Sequence, residues 1–327
     1  MSLGIPGVES KLAAEIERGL LDVEELLASH IKGDYPLVVE TSRHLVEAGG
    51  KRFRPMLTLL SSYFGSGPNK KVIESAVVCE LTHVATLYHD DVMDEAPLRR
   101  GVPSANSRWG NTVAILTGDY LFSKASDLLA DLGPEAVRLQ AKTFERLVIG
   151  QIEETQGPKP GSDPLLHYLR VVAEKTGSLI ATSARFGALF GGAPEDVTEV
   201  LTNFGEKIGI AFQLADDVID IASESNQSGK TPGTDLKEGV PTLVTLQIMK
   251  STDPKDAKLR EKLSKPVPDN EVTAVIAELR SHQALVDARN YLHQLARDAK
   301  AMLNPLPANN ARAALESLCD AIVDRTV

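Results

Sequence analysis

Two short acidic segments, each at the end of an apolar stretch, limit what this chain can fold into more than any other feature. The first is the DDVMD segment of residues 90–94, and the second is the DDVID segment of residues 216–220. On a helix with 3.6 residues per turn, the first and last aspartates of each segment share one face, and the middle one lies about 100° round it. Each segment therefore gathers three carboxylates within a single turn.

Three carboxylates so close together repel one another, and an apolar core would neither solvate nor pair them. A cation is therefore expected between them. Mg²⁺ prefers one or two carboxylates and keeps positions for water and substrate phosphate. The six carboxylates of the two segments would balance the charge of three Mg²⁺ ions. The alternative is a solvated acidic face that caps two helices. Two copies, each preceded by apolar sequence, favour the metal site.

The composition excludes several classes of protein. The 327 residues are 43% hydrophobic, so the chain can bury a large core. A formal net charge of −10 argues against nucleic acid as a partner. Cys79 and Cys319 lie far apart without a CxxC pair, which predicts neither a disulfide framework nor a zinc site and favours the cytoplasm. No stretch reaches the length of a membrane span, so any membrane contact is expected to be peripheral.

Hydrophobic periodicity predicts an all-α chain that forms a single domain over residues 1–327, without strand-like alternation or short repeats. The predicted helices cover residues 9–31, 36–49, 55–64, 71–94, 110–129, 135–155, 167–190 and 194–220, with further helices beyond. Those at 71–94 and 110–129 are expected to be buried. Residues 223–242 form a polar segment long enough to be a lid. Because both acidic motifs end helices, one in each half, we expect them to face each other across one cleft of a bundle.

Basic residues recur near the first acidic motif. Paired glycines precede Lys51, Arg52 and Arg54, at a turn that suits an anion such as diphosphate, although a solvated basic helix cap is the alternative. Arg99 and Arg100 follow the motif, where they either form salt bridges to its carboxylates or grip phosphate oxygens.

Two further polar residues interrupt apolar helices. His83 lies about two turns before Asp90 on the same face, although a histidine in such a helix is more often a core residue. Lys175 faces either solvent or a polar cleft. The sequence pattern alone does not decide between these alternatives.

With these motifs and their flanks, the sequence resembles the trans-isoprenyl diphosphate synthases, also called polyprenyl synthetases. The resemblance rests on five ordered blocks: GGKRFRP at residues 49–55, HDDVMDEAPLRRG at 89–101, KTGSLI at 175–180, FQLADDVID at 212–220 and GKTPGTDLKEGVPTL at 229–243. It implies an all-α homodimer with a deep central cavity in each subunit. It also implies the Mg²⁺-dependent, head-to-tail condensation of isopentenyl diphosphate with an allylic diphosphate, in which the allylic C–O bond ionises, the isopentenyl double bond attacks the cation and a proton is lost.

The resemblance also implies roles for individual residues. The metal-binding set, for three Mg²⁺ ions per active site, is Asp90, Asp91, Asp94, Asp216 and Asp217. The allylic diphosphate is held by Arg99, Lys175 and Lys230. The isopentenyl diphosphate is held by Lys51, Arg54, His83 and Arg100. Thr176 and Gln213 line the site near the developing carbocation; with Lys175 and the aspartates at 90, 91, 94 and 216 they form the catalytic set. Supporting hydrogen bonds are expected from Asp220, His89 and Asp235, whereas Lys237 either grips phosphate when the lid closes or is solvated.

The helix that ends in the first motif is expected to measure product length. Ala85 and Thr86, one turn before Asp90, would form the first wall met by a growing tail, and both are small. Short-chain members of the resembled family tend to place an aromatic residue there. The deeper residues of the helix are Thr82, Cys79 and Val78, and the floor candidates on the next helix are Phe122 and Leu128. We therefore predict a product of roughly six to ten isoprene units, about C30–C50, by the length of a helical turn.

Three alternatives remain open at this point. One is a synthase of a shorter product such as geranylgeranyl diphosphate. Another is a class I terpene cyclase, which the second acidic motif and the cations of residues 51–54 speak against. The last is a non-catalytic subunit of a heteromeric synthase, a type of subunit that tends to lose the acidic motifs.

Overall fold

The computed structural model describes residues 7–33, 35–222 and 233–324. These ranges are almost entirely helical, which confirms the all-α prediction. The helices are α1 (Ser10–His30), α2 (Pro36–Glu47), α3 (Phe53–Ser62), α4 (Lys70–Met93), α5 (Ala105–Trp109), α6 (Asn111–Leu132), α7 (Pro134–Gln156), α8 (Pro164–Val172), α9 (Ser178–Gly191), α10 (Glu195–Ala222), α11 (Thr234–Glu238), α12 (Leu243–Lys250), α13 (Ala257–Leu263), α14 (Asp269–Arg280), α15 (Gln283–Met302) and α16 (Asn310–Val323). A π-helix, Ala173–Gly177, joins α8 to α9, and a 3₁₀ helix, Pro254–Asp256, precedes α13.

The described residues fall into two compact units. The first unit draws on Met1–Glu145, Leu179–Gly205 and Pro305–Leu315, and the second on Arg146–Ser178, Glu206–Asn304 and Glu316–Val327. Each unit is assembled from separated stretches of chain, so neither is a contiguous domain. The single-domain prediction stays a prediction.

Helix α4 lies at the centre of the first unit, where it packs against α1, α3 and α6. Its start is fixed by Asn69, whose side chain accepts a hydrogen bond from the Val72 N–H at 3.1 Å. Along the helix, side chains such as Leu81 and Tyr88 have no exposed surface, which confirms the prediction of a buried helix. The Asp94 N–H donates to the Asp90 carbonyl at 2.8 Å, so the first acidic motif forms the last turn of α4.

Helix α6 is buried on one side only, so the prediction of a fully buried helix is wrong. Its outer side leaves Leu116 60% exposed and Ile115 42% exposed. Its inner side approaches α4 closely at Gly118, where a Cβ would lie 2.4 Å from His89 Nε2 and 3.1 Å from the Ala85 carbonyl oxygen. Glycine allows this approach without displacing the His89 ring, which a side chain at position 118 would push aside.

A two-stranded hairpin, which the sequence analysis did not predict, follows α4. Strand β1 (Leu98–Arg99) pairs antiparallel with β2 (Val102–Pro103). The turn between them consists of Arg100 and Gly101, both with positive φ, at 53° and 77°. Two central residues in the left-handed region make the turn type that matches the twist of a hairpin. Strands of two residues are too short to show alternation, and Arg-Gly is not a usual turn pair.

The predicted helix over residues 167–190 is interrupted, and this too is a correction. Helix α8 ends at Val172, the π-helix Ala173–Gly177 follows, and α9 begins at Ser178. The KTG of the KTGSLI block therefore lies in a π-helix, a form that is rare and frequent at functional sites. Hydrophobic periodicity cannot reveal such an insertion, because the apolar residues continue on both sides of it.

In the second unit, α12 packs against α8, α13 and α15, while α11 packs against α14. Helix α11 lies inside the segment predicted as a polar lid loop, residues 223–242, so that part of the prediction is wrong. Residues 223–232 of the segment, including Lys230, lie outside the described residues. Among the residues that the structure describes, no helix is both long enough and apolar enough to cross a membrane.

Candidate active site

The first acidic motif presents a buried carboxylate with one unused oxygen. Asp91 has no exposed surface, and its Oδ1 accepts a hydrogen bond from Arg99 Nε at 2.6 Å. Its Oδ2 is buried and has no hydrogen-bond partner among the described residues. Burial raises the pKa of Asp91, and the charge of Arg99 partly opposes that rise. For Arg99, the salt-bridge alternative is thus realised in this structure.

An oxygen that is buried and without a donor fits a hard cation, which binds carboxylate oxygens. Asp90 and Asp94 lie on the same helical turn, half-buried and exposed respectively. Within the described ranges, however, no group of three histidine, cysteine, aspartate or glutamate side chains is arranged to enclose a metal ion.

The second acidic motif ends α10, and its middle aspartate is already held by two donors. Asp217 is 8% exposed; its Oδ1 accepts from Gln213 Nε2 at 3.0 Å, and its Oδ2 accepts from the Tyr168 hydroxyl. Burial raises the pKa of Asp217 to about 6, against the lowering effect of these two hydrogen bonds. Tyr168 anchors this carboxylate and was missed in the sequence.

The last aspartate of the second motif contacts the start of α11. Asp220 Oδ2 accepts from the Asp235 N–H at 3.4 Å, and the Asp220 carbonyl accepts from the Gly233 N–H at 3.2 Å. The structure thus brings together two residues for which supporting hydrogen bonds were predicted. Lys237, in contrast, pairs with Asp269 at 2.9 Å.

A cluster of cations surrounds His83 in the first unit. The Nη1 of Arg100 donates to the Leu45 carbonyl at 2.6 Å, whereas the buried Nε of Arg54 has no acceptor among the described residues. Burial lowers the pKa of His83 well below its ordinary value, and the charges of Arg54, Arg100 and neighbouring arginines lower it further. His83 is therefore a neutral residue beside several positive charges. Lys51, the remaining member of the predicted isopentenyl diphosphate set, is exposed.

Two glutamates compensate part of this charge, and sequence reasoning missed both. Arg52 is 4% exposed and donates to Glu80 Oε1 at 2.8 Å and to Glu24 Oε2 at 3.1 Å. The same Glu80 carboxylate lies 3.8 Å from Arg100 Nη2. The signal in the sequence was a glutamate at position 80 within an otherwise apolar helix, where a buried carboxylate needs a partner.

The lysine, threonine and glutamine predicted near the carbocation lie in the second unit. Lys175 Nζ is 2.6 Å from Glu154 Oε2 on α7, so this lysine faces a polar environment. The Thr176 hydroxyl donates to Gln213 Oε1 at 3.1 Å. Because the Asp217 carboxylate can only accept, it fixes the Gln213 amide with its NH₂ toward Asp217 and its oxygen toward Thr176.

The predicted chain-length residues lie on α4 and α6, which pack against each other. Ala85 and Thr82 have no exposed surface, and Thr86 is 9% exposed. Thr82 Oγ1 accepts a hydrogen bond from Gln140 Nε2 at 2.8 Å. On α6, the Phe122 ring lies one turn beyond Gly118, which faces Ala85.

Aromatic contacts place Phe122 between two other rings. Its centroid is 4.7 Å from that of Phe144 and 5.7 Å from that of His89. His89 Nε2 also lies 3.1 Å from the Ile115 carbonyl and 3.4 Å from an Asp119 carboxylate oxygen. These contacts of His89 are made with α6.

Comparisons with known proteins give a consistent picture. Residues 35–279 match the family model described as polyprenyl synthetase. The chain is 46% identical over 324 residues to nonaprenyl diphosphate synthase of Mycobacterium tuberculosis, which covers 98% of this chain and 97% of the relative. It is 37% identical over 303 residues to heptaprenyl diphosphate synthase component 2 of Geobacillus stearothermophilus, covering 91% and 93%.

A solved structure extends this similarity to three dimensions. The crystal structure of geranylgeranyl pyrophosphate synthase from Corynebacterium glutamicum, complexed with calcium and isoprenyl diphosphate, superimposes with a TM-score of 0.86. The two sequences are 43% identical, and the match covers 97% of this chain and 98% of that one.

Proposed function

Because the chain belongs to the polyprenyl synthetase family and is a prenyltransferase, we propose that it condenses isopentenyl diphosphate head-to-tail with an allylic diphosphate to form an all-trans polyprenyl diphosphate. One observation supports this assignment above the others. Among its described residues, the first unit holds both a buried carboxylate oxygen without a donor, Asp91 Oδ2, and a buried guanidinium nitrogen without an acceptor, Arg54 Nε. The former suits a cation and the latter an anion, as a metal and a diphosphate would supply.

The proposed metal is Mg²⁺, three ions per active site, held by Asp90, Asp91 and Asp94 of the first motif and by Asp216 and Asp217 of the second. When bound, Mg²⁺ stabilises the negative charge that develops on a departing diphosphate. The relative crystallised with calcium supports a divalent cation. Asp217, with both oxygens already accepting hydrogen bonds, has less capacity left for a metal than Asp91, whose Oδ2 has no partner among the described residues.

The basic residues are proposed to bind the two substrates. Arg99, Lys175 and Lys230 take the allylic diphosphate, and Lys51, Arg54, His83 and Arg100 take the isopentenyl diphosphate. A neutral His83 contributes a hydrogen bond to phosphate without adding to the repulsion among the arginines. Thr176 and Gln213 are proposed to direct oxygen dipoles toward the carbon that becomes positive when the allylic C–O bond breaks, and the hydrogen bond between them supports this by fixing both groups.

The product is proposed to be of medium or long chain, about C30–C50 by the helical-turn argument. The small side chains of Ala85 and Thr86 support this range, as does the nonaprenyl diphosphate synthase relative. The shorter geranylgeranyl product is the second candidate, because a relative of 43% identity bears that name. A homodimer is the proposed assembly, supported by the exposed apolar side chains of α6.

The purified chain, incubated with isopentenyl diphosphate, farnesyl diphosphate and Mg²⁺, tests the proposal when the products are identified by mass. A linear polyprenyl diphosphate with consumption of isopentenyl diphosphate is expected. A cyclic hydrocarbon formed without that consumption would identify a terpene cyclase instead. No product from the single chain would support the non-catalytic subunit.

Asp90→Ala is expected to lower kcat by at least about 10²-fold, because it removes a group that holds transition-state charge. Its far-UV circular dichroism should match the wild type. Asp22→Ala, at an exposed position of α1, is the control and should keep full activity. An Asp90→Ala enzyme with wild-type kcat would refute the metal role of the first motif.

A further inference from the structure

Arg146, on α7, donates two hydrogen bonds to each of two glutamates of the second unit. Its Nε and Nη2 donate to the two oxygens of Glu174 at 2.8 and 3.2 Å. Its Nη1 and Nη2 donate to the two oxygens of Glu206 at 3.0 and 3.1 Å. Such charge-assisted, bidentate pairs are the strongest and most directional hydrogen bonds that side chains form. Arg146 therefore fixes Glu174 of the π-helix and Glu206 of α10 relative to α7.

Arg146 is the first member of a stripe along one face of α7 that contacts the π-helix. Gly150, one turn later, permits very close approach, since a Cβ there would lie 2.8 Å from the Lys175 backbone nitrogen. Glu154, a further turn along, pairs with the Lys175 ammonium at 2.6 Å. Residues four apart share a helix face, so these three residues act on the same neighbour.

The π-helix Ala173–Gly177 needs contacts from neighbouring elements to keep its conformation. A π-turn holds one residue more than an α-turn and is the less stable form, so it persists only where surrounding contacts impose it. If the segment relaxed to α-helix, the residues after the insertion would rotate by about 100° round the axis. Lys175 and Thr176 lie directly after Glu174 within the π-helix. Their direction depends on the π-turn being kept.

We propose that Arg146 is a positioning residue for the allylic diphosphate site, which it serves by clamping Glu174 and so holding Lys175 and Thr176 in their π-helical orientation. This inference rests on the proposed function, because it takes the lysine as a ligand of that diphosphate. Arg146 touches neither substrate. It acts through Glu174, and Glu206 holds the opposite edge of its guanidinium.

The test compares two variants of Arg146 by steady-state kinetics for both substrates. Arg146→Met keeps the length of the side chain without its charge, and Arg146→Lys keeps the charge without the fork. Both are expected to raise the KM for farnesyl diphosphate about tenfold, and to leave the KM for isopentenyl diphosphate within about twofold. A general disturbance of the fold would raise the KM values for both substrates together. Arg170→Met is the matched control, because Arg170 forms a single exposed pair with Glu153 at 2.8 Å in the same unit.

Amide hydrogen exchange gives a second readout, independent of turnover. Arg146→Met should exchange faster than the wild type over residues 173–177, whereas Arg170→Met should not. If Arg146→Met fails to fold, Glu174→Gln removes half of the clamp and should show the same KM split. Glu206→Gln leaves the contact between Arg146 and Glu174 intact and should show a smaller difference between the two KM changes.

The outcomes separate this inference from the proposed function. A wild-type protein without condensing activity would refute the function, and the exchange measurement would then decide the clamp alone. An active wild type, together with an Arg146→Met variant of unchanged farnesyl diphosphate KM, would refute the positioning role. Unchanged exchange over residues 173–177 in that variant would refute it as well.

Discussion

Single residues decide the charge balance of the first unit, and Glu80 is the clearest case. It is 2% exposed and faces the equally buried Arg52 at 2.8 Å. Without the Glu80 carboxylate, Glu24 alone would balance Arg52, and Arg100, 3.8 Å from Glu80, would lose a counter-charge; loss of a buried ion-pair partner typically costs about 3–5 kcal/mol. Glu80→Gln is therefore expected to lower the free energy of unfolding by about 3 kcal/mol in chemical denaturation.

Glu24→Gln is the matched comparison, since Glu24 also binds Arg52 but from a side chain that is 26% exposed. Glu24→Gln should lower the free energy of unfolding by less, about 1 kcal/mol, because water can replace part of the interaction. Equal losses for the two variants would show that the depth of the Glu80 carboxylate contributes nothing.

His83 gives the first unit a defined response to acid. Burial, followed by the charges of Arg54 and Arg100, lowers its pKa in the folded chain, whereas an unfolded histidine titrates near pH ~6.5. Below that value the unfolded state binds a proton that the folded state refuses, so stability falls as the pH falls. His83→Gln should abolish this part of the loss, about 1 kcal/mol between pH 6.5 and 5.5.

Denaturation of His83→Gln and wild type at pH 7.5, 6.5 and 5.5 measures the effect. The difference in unfolding free energy between the two proteins should shift in favour of the variant as the pH falls. Parallel curves over this range would contradict a neutral, buried His83.

At the residue scale, the motif residues stand out in the sequence, whereas most of their partners do not. Asp91, Arg99, Thr176 and Gln213 can be singled out because each lies in a short block with a recognisable spacing, and their roles in the site stay predictions. Glu80 and Arg146 were missed because their partners lie far away in the chain, and only the folded structure brings those charges together.

Elements follow the sequence where periodicity is long and depart from it where tertiary contacts set the geometry. The bounds of α1, α4 and α7 agree with the predicted helices to within two residues, because each has a sustained apolar stripe. The π-helix was not predictable, since it depends on contacts with α7 that periodicity does not encode. The β1–β2 hairpin is likewise set by two left-handed residues that carry no usual turn signal.

Helix α4 combines metal binding and length measurement in the proposed function, and Ala85→Phe tests that combination. Ala85 is fully buried, and its carbonyl oxygen lies beside Gly118 of α6; we expect a phenyl ring at position 85 to fill the turn that precedes Asp90. The principal product should shorten to about C15–C20, because the tail meets the ring after one helical turn. Mass analysis of dephosphorylated products measures it, with circular dichroism to confirm folding. An unchanged product length would mean that the tail does not run along α4.

At the scale of the whole molecule, the exposed apolar face of α6 suggests how two chains associate. Ile115 and Leu116 have no cover within the described chain, and a second copy of this helix is the proposed cover. Light scattering should therefore report twice the chain mass of 35.2 kDa. Leu116→Asp would bury a charge at that contact on association, at a cost that exceeds the about 1.5–3 kcal/mol gained by burying a leucine.

The variant should therefore be monomeric at micromolar concentration and retain its helical content. Leu21→Asp, at a 62% exposed leucine of α1, is the control and should remain dimeric. A wild-type monomer, or a Leu116→Asp dimer, would refute the proposed contact at the apolar face of α6. One chain does not bury this helix as the sequence predicted, but a dimer through this face would, since apolar side chains that one chain leaves in water are then covered by the other.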